Sequence, residues 1–205
     1  MLKDMKRFKL SSLAIVAFLV VVSACNNDPK VDEPAPKNED AQVTVKFTSS
    51  LGSDPIDFST TSFVTTSKDT ITPNKFKFIF SNFRVVKMDN TELSFPDKYG
   101  FISFNESITD FVLPEVPAGS YKGVKFTVGL DSSINHGDPS RWPANHPLNP
   151  LRNGMLWSWK GGYIFMTHEG AFKNKGVDDS YTFHIATLPF SNEISIEFPY
   201  THVDG

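Results

Sequence analysis

Five runs of this sequence alternate apolar and polar residues with a period of two. Val43, Val45 and Phe47 alternate with Thr44, Lys46 and Thr48, and Phe76, Phe78 and Phe80 with Lys75, Lys77 and Ile79. Val124, Phe126 and Val128 alternate with Gly123, Lys125 and Thr127, Tyr181, Phe183 and Ile185 with Thr182, His184 and Ala186, and Ile194, Ile196 and Phe198 with Glu193, Ser195 and Glu197. Successive side chains of a strand point to opposite faces, so such runs belong to antiparallel sheets covered on one side. Turn-forming residues fall between them at Pro73-Asn74, Asp89-Asn90, Pro117-Ala118-Gly119 and Ser191-Asn192. No long stretch carries the 3.6-residue spacing of a helix. The alternation predicts an all-β, antiparallel β-sandwich, with the 19 Phe residues building most of its core.

The first residues stand outside that pattern. Lys3, Lys6, Arg7 and Lys9 precede an apolar run from Leu13 to Val22, which ends in Val22-Ser23-Ala24-Cys25. A basic start, a short apolar run and small residues at the cut describe an export signal over 1–24. Cys25 directly after the small residues marks a lipobox, and as the one Cys of the chain it has no internal disulfide partner. The expectation is an exported lipoprotein anchored to a membrane through Cys25, on the periplasmic side or the cell surface and at the outer membrane. Residues 25–40 are charged and proline-containing, with little to bury, and read as a flexible tether. Residues 41–205 then fit one domain. Loss of four cationic groups and Asp4 with residues 1–24 takes the formal charge from −3 to −6. An acidic domain is a poor match for nucleic acid or an anionic lipid surface.

Chemistry concentrates in the last third. All three Trp and all five His lie between His136 and His202, and Met155 and Met166 sit within the stretch Met155–Gly170. Before it, residues 130–153 hold four prolines and no periodicity, and a loop that long in a compact domain is usually functional or disordered. With Trp142, His136 and His146 it suits a lid or wall over the same site.

These elements resemble a known family. Val124-Lys125-Phe126-Thr127-Val128-Gly129-Leu130-Asp131 with Asn135, His146-Pro147-Leu148-Asn149, Gly154-Met155-x-Trp157-x-Trp159-x-x-Gly162-Tyr163, Glu169-Gly170 and Phe183-His184-Ile185 are similar to the MbnP-like proteins. Those are exported copper-binding proteins named after the methanobactin-associated periplasmic protein. The resemblance runs from Gln42 onward and implies an all-β domain that binds copper. In some members a partner dihaem enzyme, resembling a cytochrome peroxidase, oxidises a Trp to kynurenine, whose new groups help hold the metal. Carried over by motif, Trp157 and Trp159 become the candidates for oxidation and His184 a candidate imidazole ligand. Two departures stand out. No His occurs near Phe47-Thr48-Ser49, where some members have one, and family members commonly continue beyond Gly205, which implies a product that stops short.

Copper accepts thioether, imidazole and carboxylate donors according to its oxidation state. On that basis Met155, Met166, His136, His146, His168 and His184 are the candidate ligands. Met166 and His168 would share one face of a strand, with Phe165 on the other. Each has a plainer reading, since Met fills cores and a His on a polar strand face is commonly solvated, as His202 is expected to be. Glu169, Gly162 and Gly170 read as structural, Glu169 accepting backbone or indole hydrogen bonds. The function these readings favour is copper capture or homeostasis by a lipid-anchored domain. The competing one is a module binding glycan or protein through Trp142, Trp157 and Trp159. No nucleophile elbow, paired-carboxylate spacing or metalloprotease motif points to an enzyme.

Overall fold

A computed structural model describes residues 40–205 except 158, 160, 187–191 and 204–205. The export signal, Cys25 and the tether before Asp40 lie outside the described residues. Fourteen strands follow in order: β1 (Ala41–Lys46), β2 (Ser50–Leu51), β3 (Asp54–Pro55), β4 (Phe63–Val64), β5 (Thr70–Lys87), β6 (Glu92–Phe95) and β7 (Gly100–Ser103), then β8 (Asp110–Val116), β9 (Gly119–Val128), β10 (Leu156–Trp157), β11 (Gly162–Tyr163), β12 (Met166–Asn174), β13 (Val177–Ile185) and β14 (Asn192–Val203). Two one-turn helices, α1 (Ser132–Asn135) and α2 (Pro150–Asn153), interrupt the region between β9 and β10. No helix among the described residues is long and apolar enough to cross a membrane.

The long strand β5 organises the molecule. Phe78 pairs with Met166 of β12 on one edge and Ile102 of β7 on the other, and Phe80 pairs with Val128 of β9 and Gly100 of β7. One edge of β5 therefore carries β12 and then β9, and the opposite edge carries β4, β7 and β6. β13 extends the sheet beyond β12, and β14 extends it beyond β9. A second, two-stranded sheet of β1 and β8 covers one face. The result is the expected antiparallel sandwich.

Its main core follows the alternation. Phe78, Phe80, Phe83, Val85, Val124 and Phe126 of the large sheet meet Phe111, Leu113 and Val116 of β8, with Val43, Val45 and Phe47 of β1 packed against them. Phe80 and Phe83 lie with ring centroids 4.9 and 4.8 Å from Phe111, in an edge-on and a tilted contact respectively, which suit aromatic quadrupoles. Phe80 and Phe83 are three residues apart, which simple alternation would send to opposite faces. Asn82 resolves this with a left-handed backbone (φ 53°) where the register with β9 shifts, and the bulge returns Phe83 and Val85 to the core.

Pro73-Asn74 departs from expectation. It is no turn but lies inside β5, where the register with β12 slips between Glu169 and Gly170. A bulge is one of the few strand positions that tolerates a proline. Gly170 opposite has no room for a side chain, because a Cβ there would overlap the Thr72 carbonyl oxygen and the Tyr181 hydroxyl.

The proline-rich segment is ordered around a second core on the other face of β5. Ile79, Phe101, Leu130, Leu148, Met155, Tyr163, Ile164 and Phe165 form it, and Ile134, Trp142 and Trp157 pack on its margin. The longer stretch that contains it, from Gly129 to Phe165, is fastened at both ends to one residue. Ile79 N–H donates to Phe165 O (2.9 Å), and Gly129 N–H donates to Ile79 O (3.0 Å). β12 and β9 part at that point, and the segment between them folds back over the Ile79 side chain.

Candidate functional site

Residue parity on β12 sorts the candidates. Phe165 belongs to the second core, so Thr167 and Glu169 share its face, while Met166 and His168 face the main core. Met166 packs on that core, and His168 lies edge-on to Phe76 (5.4 Å) and beside Tyr181 (5.3 Å). Burial holds the His168 imidazole below its ordinary pKa. On β13, His184 pairs with Thr167 and therefore stands on the Glu169 face. The sheet itself separates His184 from Met166 and His168.

The remaining candidates lie in the loop module. Met155 is 1% exposed and sits inside the second core. His146 stacks on Trp142 (4.1 Å, 8° between planes), with Tyr99 against both rings and the Arg141 guanidinium 4.2 Å from the Trp142 centroid. Its Nδ1 accepts the Leu148 N–H (3.1 Å), and burial, helped by Arg141 and Arg152, keeps its pKa low. His136 Nδ1 donates to Gly161 O at 2.8 Å, so it holds the turn that carries the two Trp residues. Among the described residues, no three or more His, Cys, Asp or Glu side chains gather as a metal-binding group.

What does assemble is a constellation on three adjacent strands and a hairpin. β10 and β11 pair as Leu156 with Tyr163 and Trp157 with Gly162. The hairpin is braced from beneath by the loop: Tyr163 N–H donates to the buried Asn135 side chain (2.7 Å), and Tyr163 O–H donates to Leu148 O (2.7 Å). The loop is thus the floor of this region, not a lid. Trp157 and Trp159 come within 5.3 Å, and Trp157 lies 5.7 Å from the His184 ring. Trp157 packs on the second core, whereas Trp159 is 76% exposed.

Glu169 is the hub. Its Oε1 accepts from Thr167 Oγ1 (2.8 Å) and lies 3.1 Å from His184 Nε2, and its Oε2 accepts from Lys75 Nζ (2.7 Å). Partial burial pushes the Glu169 carboxyl up, but the bonds from Lys75, His184 and Thr167 outweigh that and hold it at about 2. Side-chain donors fill the place where backbone or indole groups were expected. Lys75 and Thr167 were not foreseen as members. Their polar positions are visible in the alternation, but the pairing of Lys75 with Glu169 across β5 and β12 is a matter of register.

The hub leaves one imidazole beside an indole pair, supported by an ionised carboxylate. Such a set offers copper a nitrogen donor and an oxidisable neighbour, though not a complete ligand shell from unmodified side chains.

Comparison with known proteins bears on the whole domain. The family model described as MbnP matches residues 40–205. The solved structure of MbnP from Methylosinus trichosporium is similar to this chain with a TM-score of 0.55 and 15% identity, covering 80% of this chain and 72% of that chain. At that identity the likeness shows a shared fold. No curated protein matches the chain.

Proposed function

Starting from the fact that the chain belongs to the MbnP family, we propose that it is an exported, lipid-anchored protein that binds copper at His184 and the adjoining Trp157–Trp159 hairpin. The observation that carries this reading is the His184 ring, whose centroid lies 5.7 Å from that of Trp157 and whose Nε2 lies 3.1 Å from Glu169 Oε1. His184 supplies the imidazole donor. Trp157, the indole adjoining it, is the position at which oxidation to kynurenine by a partner dihaem enzyme would add nitrogen and oxygen donors. Bound copper would be sequestered rather than turned over, and the anchor at Cys25 would hold the domain at the periplasmic or outer surface of its membrane.

Copper content and intact mass of the protein purified from its native host test this reading. We expect about one equivalent of copper, lost in His184→Ala, a mass increase on Trp157 or Trp159 matching kynurenine, and a diacyl or triacyl group on Cys25. Copper-free protein of unmodified mass would overturn the reading. The exposure of Trp159 keeps one other use of the surface open, a module that binds glycan or protein through its aromatic side chains. Quenching of Trp159 fluorescence by glycan, in protein devoid of copper, would favour it.

A further inference from the structure

Both oxygens of the Glu169 carboxylate already accept hydrogen bonds, Oε1 from Thr167 Oγ1 and Oε2 from Lys75 Nζ. A carboxylate in that state has no proton to give. The 3.1 Å contact between Oε1 and His184 Nε2 is therefore a bond in which the imidazole donates. We infer that Glu169 is a positioning residue for His184: it fixes the tautomer in which Nε2 carries the proton, so that Nδ1 holds the free lone pair and is the nitrogen presented to a metal. This rests on the proposed copper reading for its use, although the tautomer itself belongs to the metal-free protein.

The pairing is built into the sheet. His184 is opposite Thr167, and Glu169 stands two residues further along β12, so the contact is a diagonal cross-strand pair. Lys75 lies directly across from Glu169 on β5. The slip in register comes immediately after Glu169, where Gly170 has no space for a Cβ. Lys75 of β5 and Thr167 of β12 thus hold the carboxylate before it meets the imidazole of β13. A carboxylate behind a ligating His orients the ring and raises its basicity, and losing such a partner typically costs 10–100-fold in metal affinity. The loop histidines are spent differently. His146 uses Nδ1 to accept the Leu148 N–H, and His136 uses Nδ1 to donate to Gly161 O.

Nitrogen-15 spectra of histidine-labelled, copper-free protein test the inference, recorded at alkaline pH with the imidazole neutral and with His184→Ala identifying the signal. We expect a protonated Nε2 and a bare Nδ1 in the parent protein. Glu169→Gln keeps an acceptor and should keep that tautomer, whereas Glu169→Ala should show both tautomers in exchange. Copper affinity, measured by competition with a chelator, should fall about 10-fold or more in Glu169→Ala and less in Glu169→Gln. The Gln variant controls for folding, since a merely structural loss would not restore the tautomer. A proton on Nδ1 in the parent, or one unchanged tautomer in Glu169→Ala, would overturn the inference. Parent-like copper affinity in His184→Ala would instead overturn the metal reading, and the tautomer would still report on the Glu169–His184 pair alone.

Discussion

Met155 and His184 come from the same set of candidate ligands and end in opposite environments. Met155 is 1% exposed in one cluster with Tyr163 and Phe165, and its backbone N–H is held by Asn153 Oδ1 at 2.7 Å. Truncation to Ala should cost about 2–5 kcal/mol, whereas Leu should cost less than about 1.5 kcal/mol. Denaturant unfolding of the two variants measures this, and the Leu variant should keep whatever copper affinity the parent has under the proposed reading. Loss of copper in a stably folded Met155→Leu would mean that the thioether is a ligand after all. The sequence could place a sulfur near the two Trp residues, but whether it points into a core depends on partners such as Leu148 and Ile79, which are distant in the chain. Parity along β12 was legible, and Met166 and His168 do share a face opposite Phe165. The diagonal contact between Glu169 and His184 was not, because alternation says which face a side chain takes and nothing about its neighbour on the next strand.

At the scale of elements, the five alternating runs all fall on strands, and on β1, β5 and β9 the apolar alternates bury one face of a sheet, whereas Phe183 of β13 and Ile196 of β14 stay exposed (62% and 44%). The irregularities were harder to see. The three-residue step from Phe80 to Phe83 was a trace of the Asn82 bulge, and Pro73-Asn74 disguised another bulge as a turn. The proline-rich loop is held by side-chain amides in place of ladder bonds: the buried Asn153 donates from Nδ2 to Pro147 O (2.8 Å), and the half-buried Asn149 donates from Nδ2 to Trp142 O (2.8 Å). Its apolar anchor is Ile79, which lies in β5 far back in the chain. Ile79→Ala should therefore loosen residues 130–164 more than the main sandwich, at a total cost of about 2–5 kcal/mol. Hydrogen exchange is the check, with protection expected to drop first at Tyr163 and Ile164. A uniform drop across β9 and β14 would show that the loop module and the sheet unfold as one unit.

For the molecule as a whole, one sheet carries a core on each face, and charged groups on its polar surfaces tie strands together across β5. Arg84 bonds Glu92 and Glu193, Lys125 bonds Glu92, and Lys75 bonds Glu169. These links set a direction for acid stability. The bond from Lys125 lowers the Glu92 pKa, and Glu169 is lowered from 4.5 to about 2. A carboxyl whose pKa is depressed by folding binds its proton more readily in the unfolded chain. Its contribution is complete above the unfolded value and is lost as pH falls through the folded one. Melting temperature should thus hold near neutrality and decline between roughly pH 4.5 and 2. Lys75→Met isolates the part due to Glu169. Lys75 is 38% exposed, so solvent screening limits the pair to about 1 kcal/mol at neutral pH. The gap in melting temperature between parent and variant should then close as pH approaches 2, because protonation removes in the parent what the mutation removes in the variant. A gap that stays constant over that range would show that Lys75 acts by packing its alkyl chain on the sheet and not through the Glu169 carboxylate.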